Sequence, residues 1–261
     1  MATPGLRSDC ASCFGLCCVL LPFSASAGFG VDKPSGRACL NLLDDDSCGI
    51  HDSLREKGWP GCTVFECFGA GQQVSQVTYA GGSWREQDNL PEMAAVLSVM
   101  RQLHEMLVHL NEVERRSPDE DSRATSTEVE QLTAADPDTL LRLDIDALHD
   151  RVGRLLADAS TRVRRRWPDA GDLSRRDLAG RRLAGDHRGW TLRASVLIRA
   201  DLRDADLDEA DLLGCDLRDA DVRGCELSGA LFLTQPQVNS TAGDSTTKLP
   251  PGLTRPGHWP T

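Results

Sequence analysis

The chain has 261 residues, enough for one or two compact domains. Its 40% hydrophobic and 26% charged residues are an ordinary composition for a soluble protein. Aromatic residues make up only 5%, which favours an architecture packed by small and aliphatic side chains. The formal net charge of −11 argues against direct binding to nucleic acid or to an anionic membrane, whereas a basic partner protein remains compatible with it.

The N-terminal segment, residues 1–84, is rich in cysteine and glycine and shows little periodicity. Its apolar stretch from Phe14 to Phe23 precedes Ser24-Ala25-Ser26-Ala27, which resembles a signal-peptide cleavage site. The start lacks a convincing basic region, however, and cleavage there would remove four of the eight clustered cysteines. No apolar run reaches the length of a membrane-spanning helix. We therefore expect a cytoplasmic protein without membrane contact, and secretion is the alternative.

The cysteines of this segment predict a thiolate metal site. Four thiols fall within nine residues in Cys10-x2-Cys13-x3-Cys17-Cys18, and such close spacing suits a tetrahedral ion or a cluster. Adjacent cysteines cannot easily bind one ion, so one of the pair is expected to bind a second metal or to stay free. Disulfides and inert packing remain alternatives. The candidate ligands are Cys10, Cys13, Cys17, Cys18, Cys39, Cys48, Cys62 and Cys67, with His51 as an additional candidate.

The pattern Cys39-Leu-Asn-Leu, Cys48-x-Ile-His51 and Cys62 resembles the small cysteine-cluster family described as zinc- or iron-chelating proteins. In that family a leading group of cysteines ending in a Cys-Cys pair precedes a second group with an Ile-His or Ile-Tyr element. The resemblance covers residues 10–67 and implies bound zinc or iron, while the loop after Cys18 and the ending at Cys67 depart from the family pattern. Ligand counting does not separate zinc, mononuclear iron and an iron–sulfur cluster.

Residues 89–168 are expected to form two amphipathic helices joined by a charged, exposed linker from Glu112 to Glu128. The first helix is predicted to begin at Asn89 and the second at Asp136, each before a proline. Their packing as an antiparallel helical hairpin is the simplest arrangement, and an intermolecular coiled coil, hence a homodimer, is the alternative. The two apolar stripes are Met93, Val96, Met100, Leu103, Leu107 and Leu110, and then Leu141, Ile145, Leu148, Val152, Leu155 and Ala159.

A five-residue period begins at Thr191 and fits neither a helix nor a strand, so it indicates a repeat architecture. Two residues before a central apolar residue the side chain is nearly always small, and Cys215 and Cys225 occupy that position. Upstream, Leu173, Leu178 and Leu183 keep the spacing, but the phase slips across residues 185–190. The central residues are Leu192, Leu197, Leu202, Leu207, Leu212, Leu217, Val222, Leu227 and Phe232.

These repeats resemble the pentapeptide-repeat family, whose unit is close to Ala-Asp-Leu-x-x. The resemblance implies a right-handed, quadrilateral parallel β-helix over residues 172–235, with the central and the small residues pointing inward. In that arrangement Cys215 and Cys225 are buried packing residues rather than metal ligands. Residues 236–261 are expected to cap the last coil, with Phe232 and Trp259 as packing residues.

No Ser/His/Asp arrangement, phosphate-binding loop or pair of carboxylates with an acid–base context stands out, so the sequence predicts a non-enzymatic binding or scaffold protein with another protein as its partner. One alternative is a DNA-mimicking topoisomerase modulator, as some pentapeptide-repeat proteins are, because residues 196–230 contain ten acidic residues against four arginines. A second alternative is a redox or iron–sulfur enzyme built on the cysteine cluster.

Overall fold

The computed structural model describes residues 5–86 and 89–260. Residue 1, where the predicted cysteine-rich segment begins, and residue 261, where the predicted C-terminal cap ends, lie outside the described residues. The chain forms two compact units, Met1–Leu156 and Ala157–Thr261. No helix in the described part of the chain is both long and apolar enough to cross a bilayer.

The first unit begins with irregular chain interrupted by short helices. Two isolated antiparallel bridges, Phe23 with Lys33 and Leu42 with Cys48, hold its loops together. Several of the turns end at a glycine with positive φ, a backbone conformation that other residues rarely adopt. The short helices are α1 (Leu16–Leu20), α2 (Pro60–Val64) and α3 (Ala70–Gln72), which continues as a π-helical segment, Gln73–Thr78; single 3-10 turns lie at Cys10–Ser12, Ala25–Ala27 and His51–Ser53.

Four further helices follow, and α4 is the central one. They are α4 (Leu90–Arg116), α5 (Glu120–Leu132), α6 (Pro137–Leu141) and α7 (Ile145–Arg164). The stripe from Met93 to Leu110 is fully buried along α4, which packs against α1, α3, α5 and α6.

The predicted central hairpin is wrong, because the segment expected to be an exposed linker is largely helical. Helix α4 continues to Arg116 and α5 begins at Glu120, capped by Asp119, whose carboxylate accepts the Ser122 backbone N–H at 2.8 Å. Helix α5 buries Ser122, Thr125 and Val129, a stripe of small and polar residues that hydropathy does not reveal. The second predicted helix is divided into α6 and α7, and Leu141 is 42% exposed.

The second unit contains the repeats, which wind into coils of four repeats each. Successive coils are joined by isolated parallel bridges between single residue pairs. The bridged residues are 19 apart at the start of the first coil, 20 apart through the middle, and 21 or 22 apart at the end, as in Asp172–Thr191, Asp201–Asp221 and Glu226–Lys248. The first coil therefore contains one residue fewer, which accounts for the slip in phase near Gly185.

The predicted quadrilateral parallel β-helix is wrong, because no described residue belongs to a β-strand or a sheet and the regular elements of the structure are helices. The reason lies in the turns. The second residue after each centre commonly has positive φ, as in Ala194, Arg199, Asp204 and Glu209, so the backbone reverses before two successive residues can pair with the next coil. Each repeat contributes one bridged residue and one turn.

The C-terminal segment extends this stack beyond the predicted repeats. Helix α8 (Gln235–Asn239) takes the place of a repeat, and residues 242 and 248 still form bridges to the preceding coil. Trp259, 4% exposed, joins the core of the coils together with Leu233 and Val238. Phe232 is buried as well but is not a member of that core cluster.

Candidate thiolate site and repeat surface

Cys10, Cys13 and Cys67 lie in one part of the first unit. A Cβ placed on Gly71 would be 3.7 Å from the Cys13 sulfur and 3.6 Å from the Cys67 sulfur, so both thiols face that glycine. The Cys67 sulfur is also 3.0 Å from the Ser8 hydroxyl. A hydrogen bond between the thiols of Cys10 and Cys13 raises the pKa of Cys10 and lowers that of Cys13 to about 7.

Cys17 and Cys18 are adjacent on α1 and interact with each other. Their thiol–thiol hydrogen bond raises the pKa of Cys17, to which burial also contributes, and lowers the pKa of Cys18. Cys17 has Cys10 and Cys13 among its charged neighbours, and Cys18 is a charged neighbour of those two cysteines and also of Cys39 and Cys48. The pair thus lies between two groups of thiols.

The second group consists of Cys18, Cys39, Cys48 and Cys62. The Cys39 backbone N–H donates to the Cys18 carbonyl at 2.9 Å, and Cys39 is buried in a cluster against which Cys18 and Cys62 pack. Cys48 is held nearby by its bridge to Leu42, whose N–H donates to the Cys39 carbonyl at 3.1 Å. Burial is the main cause that raises the pKa values of Cys39, Cys48 and Cys62, the last to about 12, and the charges of the other thiols in the group add to it.

Lys33 is a buried cation beside this group that the sequence analysis missed. Its ammonium donates to four carbonyl oxygens and lies 4.6 Å from the centre of the Phe23 ring, and burial lowers its pKa. Cys17, Cys18 and Cys39 are its charged neighbours. No sequence signal marks this lysine, because its acceptors are backbone atoms: the carbonyls of Val19, Leu21, Pro34 and Arg37 at 2.6–3.2 Å.

The thiols are close but are not arranged around an ion. All ten cysteines are free, and no three Cys, His, Asp or Glu side chains in the described ranges surround a common position at metal-ligand distance. The donor set itself suits zinc or iron, because clustered thiolates are the ligands that these metals prefer. His51 lies at the surface, where its ring is 3.6 Å from the Asp52 carboxylate.

In the repeats, an aspartate that directly precedes a central residue stabilises its own turn. The Asp201 carboxylate accepts the Arg203 backbone N–H at 3.2 Å and two guanidinium N–H groups at 2.8 Å, and these bonds lower its pKa. The same contacts lower the pKa of Asp186 to about 2. Equivalent carboxylate–arginine pairs recur at Asp186–Arg188, Asp216–Arg218 and Asp221–Arg223.

The inward side chains fill the interior of the coils. The central residues from Leu192 to Leu227 are at most 4% exposed, and Cys215 and Cys225 lie among them in the small position. One outward-facing carboxylate is also buried: Asp211, 1% exposed, accepts the Leu213 backbone N–H at 3.0 Å and the Arg193 guanidinium at 2.8 Å. The inward side chains and the Asp211–Arg193 pair thus stabilise the coils.

Comparisons with known proteins agree with the repeats. Residues 195–232 match the Pentapeptide repeats family in eight copies, which confirms the predicted repeats. The chain is also 46% identical over 279 residues to YybG of Bacillus subtilis (strain 168), an uncharacterized protein, and the match covers 97% of this chain and 95% of that protein. The resemblance of residues 10–67 to the cysteine-cluster family stays a prediction.

Two solved structures are similar to about a third of this chain. One is a pentapeptide repeat protein from the Arabidopsis thaliana thylakoid lumen, 27% identical over 33% of this chain and 59% of that chain, with a TM-score of 0.17. The other is a pentapeptide repeat protein from Nostoc PCC 7120, 24% identical over 32% of this chain and 69% of that chain, with a TM-score of 0.12.

Proposed function

We propose that this chain, which belongs to the family of YybG and carries pentapeptide repeats, is a non-enzymatic protein-binding protein whose N-terminal cysteines hold zinc or iron. The observation that carries the proposal is the use of the repeat carboxylates. Four repeat carboxylates each accept a backbone N–H and pair with an arginine: Asp186, Asp201, Asp216 and Asp221. These carboxylates therefore make structural contacts rather than contacts with a substrate.

A rigid surface of this kind suits a protein partner. Turns fixed by side-chain hydrogen bonds present charged groups in set positions, which lowers the ordering cost of association. Arginines pair with several of the repeat carboxylates, among them Asp201, Asp216 and Asp221, and offset part of the negative charge of the coils, so a DNA-mimicking role is not favoured. A cytoplasmic location is part of the proposal, since a reducing compartment keeps clustered cysteines available as thiolates.

For the metal, the group Cys18, Cys39, Cys48 and Cys62 is the best-supported ligand set. These residues come from four separate segments, and Cys18, Cys39 and Cys62 share one buried cluster. Binding would require the four thiols to lose their protons and approach one another, and the ion would then act as a cross-link between the segments. The nearby ammonium of Lys33 would offset part of the negative charge of such a site.

Quantitative cross-linking in cells of the source organism tests the binding role. The tagged full chain is compared with a matched chain bearing Arg203→Glu and Arg223→Glu, two exposed positions on one side of the coils. We expect one protein to be cross-linked to the repeats, residues 172–235, in the first chain and to be depleted in the second. Equal recovery with both chains, or cross-links confined to residues 5–86, contradicts protein binding by the repeats.

A further inference from the structure

The first coil has an outer edge with which no described residue of its own unit pairs. This open edge comprises residues 177–184. Asp177 and Arg182 bridge to Val196 and Asp201 of the second coil on one side, and no bridge joins them to any described residue on the other side. The opposite end of the stack differs, because residues 242 and 248 and the Trp259 ring close it.

Backbone groups at the open edge lack partners that their counterparts in the next coil possess. In the second coil, the N–H of Val196 donates back to the Arg176 carbonyl at 2.9 Å, and the N–H of Asp201 donates back to the Arg181 carbonyl at 2.9 Å. The equivalent N–H groups belong to Asp177 and Arg182, and the described residues give them no acceptor. These exposed groups form a template for pairing with an extended chain.

The apolar residues at this end are incompletely covered. Leu178 and Leu183 pack against the core of the coils but stay partly exposed, whereas Leu197 and Leu202, one coil further on, are at most 1% exposed. A segment paired along the open edge would lie where the preceding coil lies for those inner residues. It would therefore bury apolar surface that the chain itself leaves in contact with water.

The charge at the open edge is positive, in contrast to the acidic coils that follow. Arg176 and Arg181 occupy positions that are small residues in later repeats, and both are exposed. Arg175 and Arg182 are exposed beside them, and only Arg182 has a carboxylate within 4 Å in the described chain, Asp201 at 3.8 Å. Two copies meeting edge to edge would bring these arginines together, so like-charge repulsion disfavours self-pairing.

We propose that the open edge binds an extended acidic segment of a partner protein. The segment adds as one more turn of pairing. Its carbonyls accept from the N–H groups of Asp177 and Arg182, and its N–H groups donate to the carbonyls of the same two residues, as Leu178 and Leu183 donate to Val196 and Asp201 in the next coil. Its apolar side chains cover Leu178 and Leu183, and its carboxylates meet the four arginines. This inference rests on the proposed protein-binding function and names the place and the chemistry of the contact.

Peptide binding to the purified full chain tests the inference. The probe is an end-capped heptapeptide of alternating Glu and Val, and its counterpart carries Lys in place of Glu; binding is measured by calorimetry at low salt. We expect the Glu peptide alone to bind. Arg176→Glu with Arg181→Glu should weaken it by about tenfold or more, while the charge-matched control, Arg199→Glu with Arg255→Glu at two exposed positions outside the open edge, should change the affinity by no more than about twofold.

Two further measurements separate edge pairing from simple charge attraction. Methylation of every second peptide nitrogen should abolish binding in one of the two alternating registers, and hydrogen exchange at the amides of Asp177 and Arg182 should slow in the complex. Equal binding of the Lys peptide, equal loss in the control chain, or indifference to both methylation patterns overturns the inference. A cross-linked cellular partner on residues 191–230 without any peptide binding refutes the open edge and leaves the proposed function standing.

Discussion

The thiol of Cys215 donates a hydrogen bond to the backbone carbonyl of Leu192, one coil earlier, at 2.8 Å. Cys225 makes the same contact with the Leu202 carbonyl at 2.7 Å. Burial raises the pKa of Cys215 to about 11 and that of Cys225 to about 12. Both cysteines therefore act as protonated, buried links between coils, in contrast to the clustered cysteines of the first unit.

These links predict an alkaline loss of stability. In the unfolded chain the two thiols lose their protons near pH 9, their ordinary pKa, whereas in the folded chain they stay protonated to about pH 11. The unfolded state then binds fewer protons, so the free energy of unfolding falls as pH rises between these values. Urea unfolding at several pH values should show a shallower fall for the Cys215→Ala, Cys225→Ala chain, and identical slopes would contradict the assignment.

The buried pair of Asp211 and Arg193 predicts a graded effect of substitution. Asp211→Ala leaves the Leu213 N–H and the Arg193 guanidinium without their acceptor and should lower the free energy of unfolding by about 3 kcal/mol. Asp211→Asn keeps an oxygen for the turn and should cost about 1 kcal/mol. Chemical denaturation measures both, and equal losses would show that the turn and the ion pair are not separable contributions.

The burial of Trp259 in the core of the coils predicts that the C-terminal tail stabilises them. Its ring packs in their core above Gly243, and its indole N–H donates to the Thr241 carbonyl at 3.0 Å. Trp259→Ala should therefore cost about 3 kcal/mol or more, and Trp259→Phe should cost less because most of the packing remains. Should both variants unfold at the wild-type urea concentration, the tail is not a cap.

The repeats were predictable because their period is local and strict, yet the geometry at their end was not. Phe232 keeps the five-residue spacing, but its φ is +59° and its ring lies 5.9 Å from the Arg193 guanidinium, while Leu233 enters the core. Helix α8 interrupts the period just after this point. Spacing alone also implied strands, because it does not reveal that the positive-φ turn residues limit each repeat to a single bridge.

For the thiols, the sequence located the cluster of cysteines but did not show which of the later cysteines lie near Cys18. Close spacing identified Cys10 to Cys18 as a group, and the structure adds that Cys18 also lies near Cys39, Cys48 and Cys62 from three later segments. Such contacts depend on how irregular loops fold back, and no periodicity encodes them. The carbonyl cage around Lys33 could not be anticipated for the same reason.

Metal content of the anaerobically purified full chain tests the central proposal, a metal-holding binding protein, most directly. Elemental analysis with an absorption spectrum should give stoichiometric zinc or iron, which Cys39→Ser with Cys62→Ser removes and Cys215→Ala with Cys225→Ala, the matched control, retains. Absence of stoichiometric metal, with all eight N-terminal thiols titrating as free, would contradict the proposal.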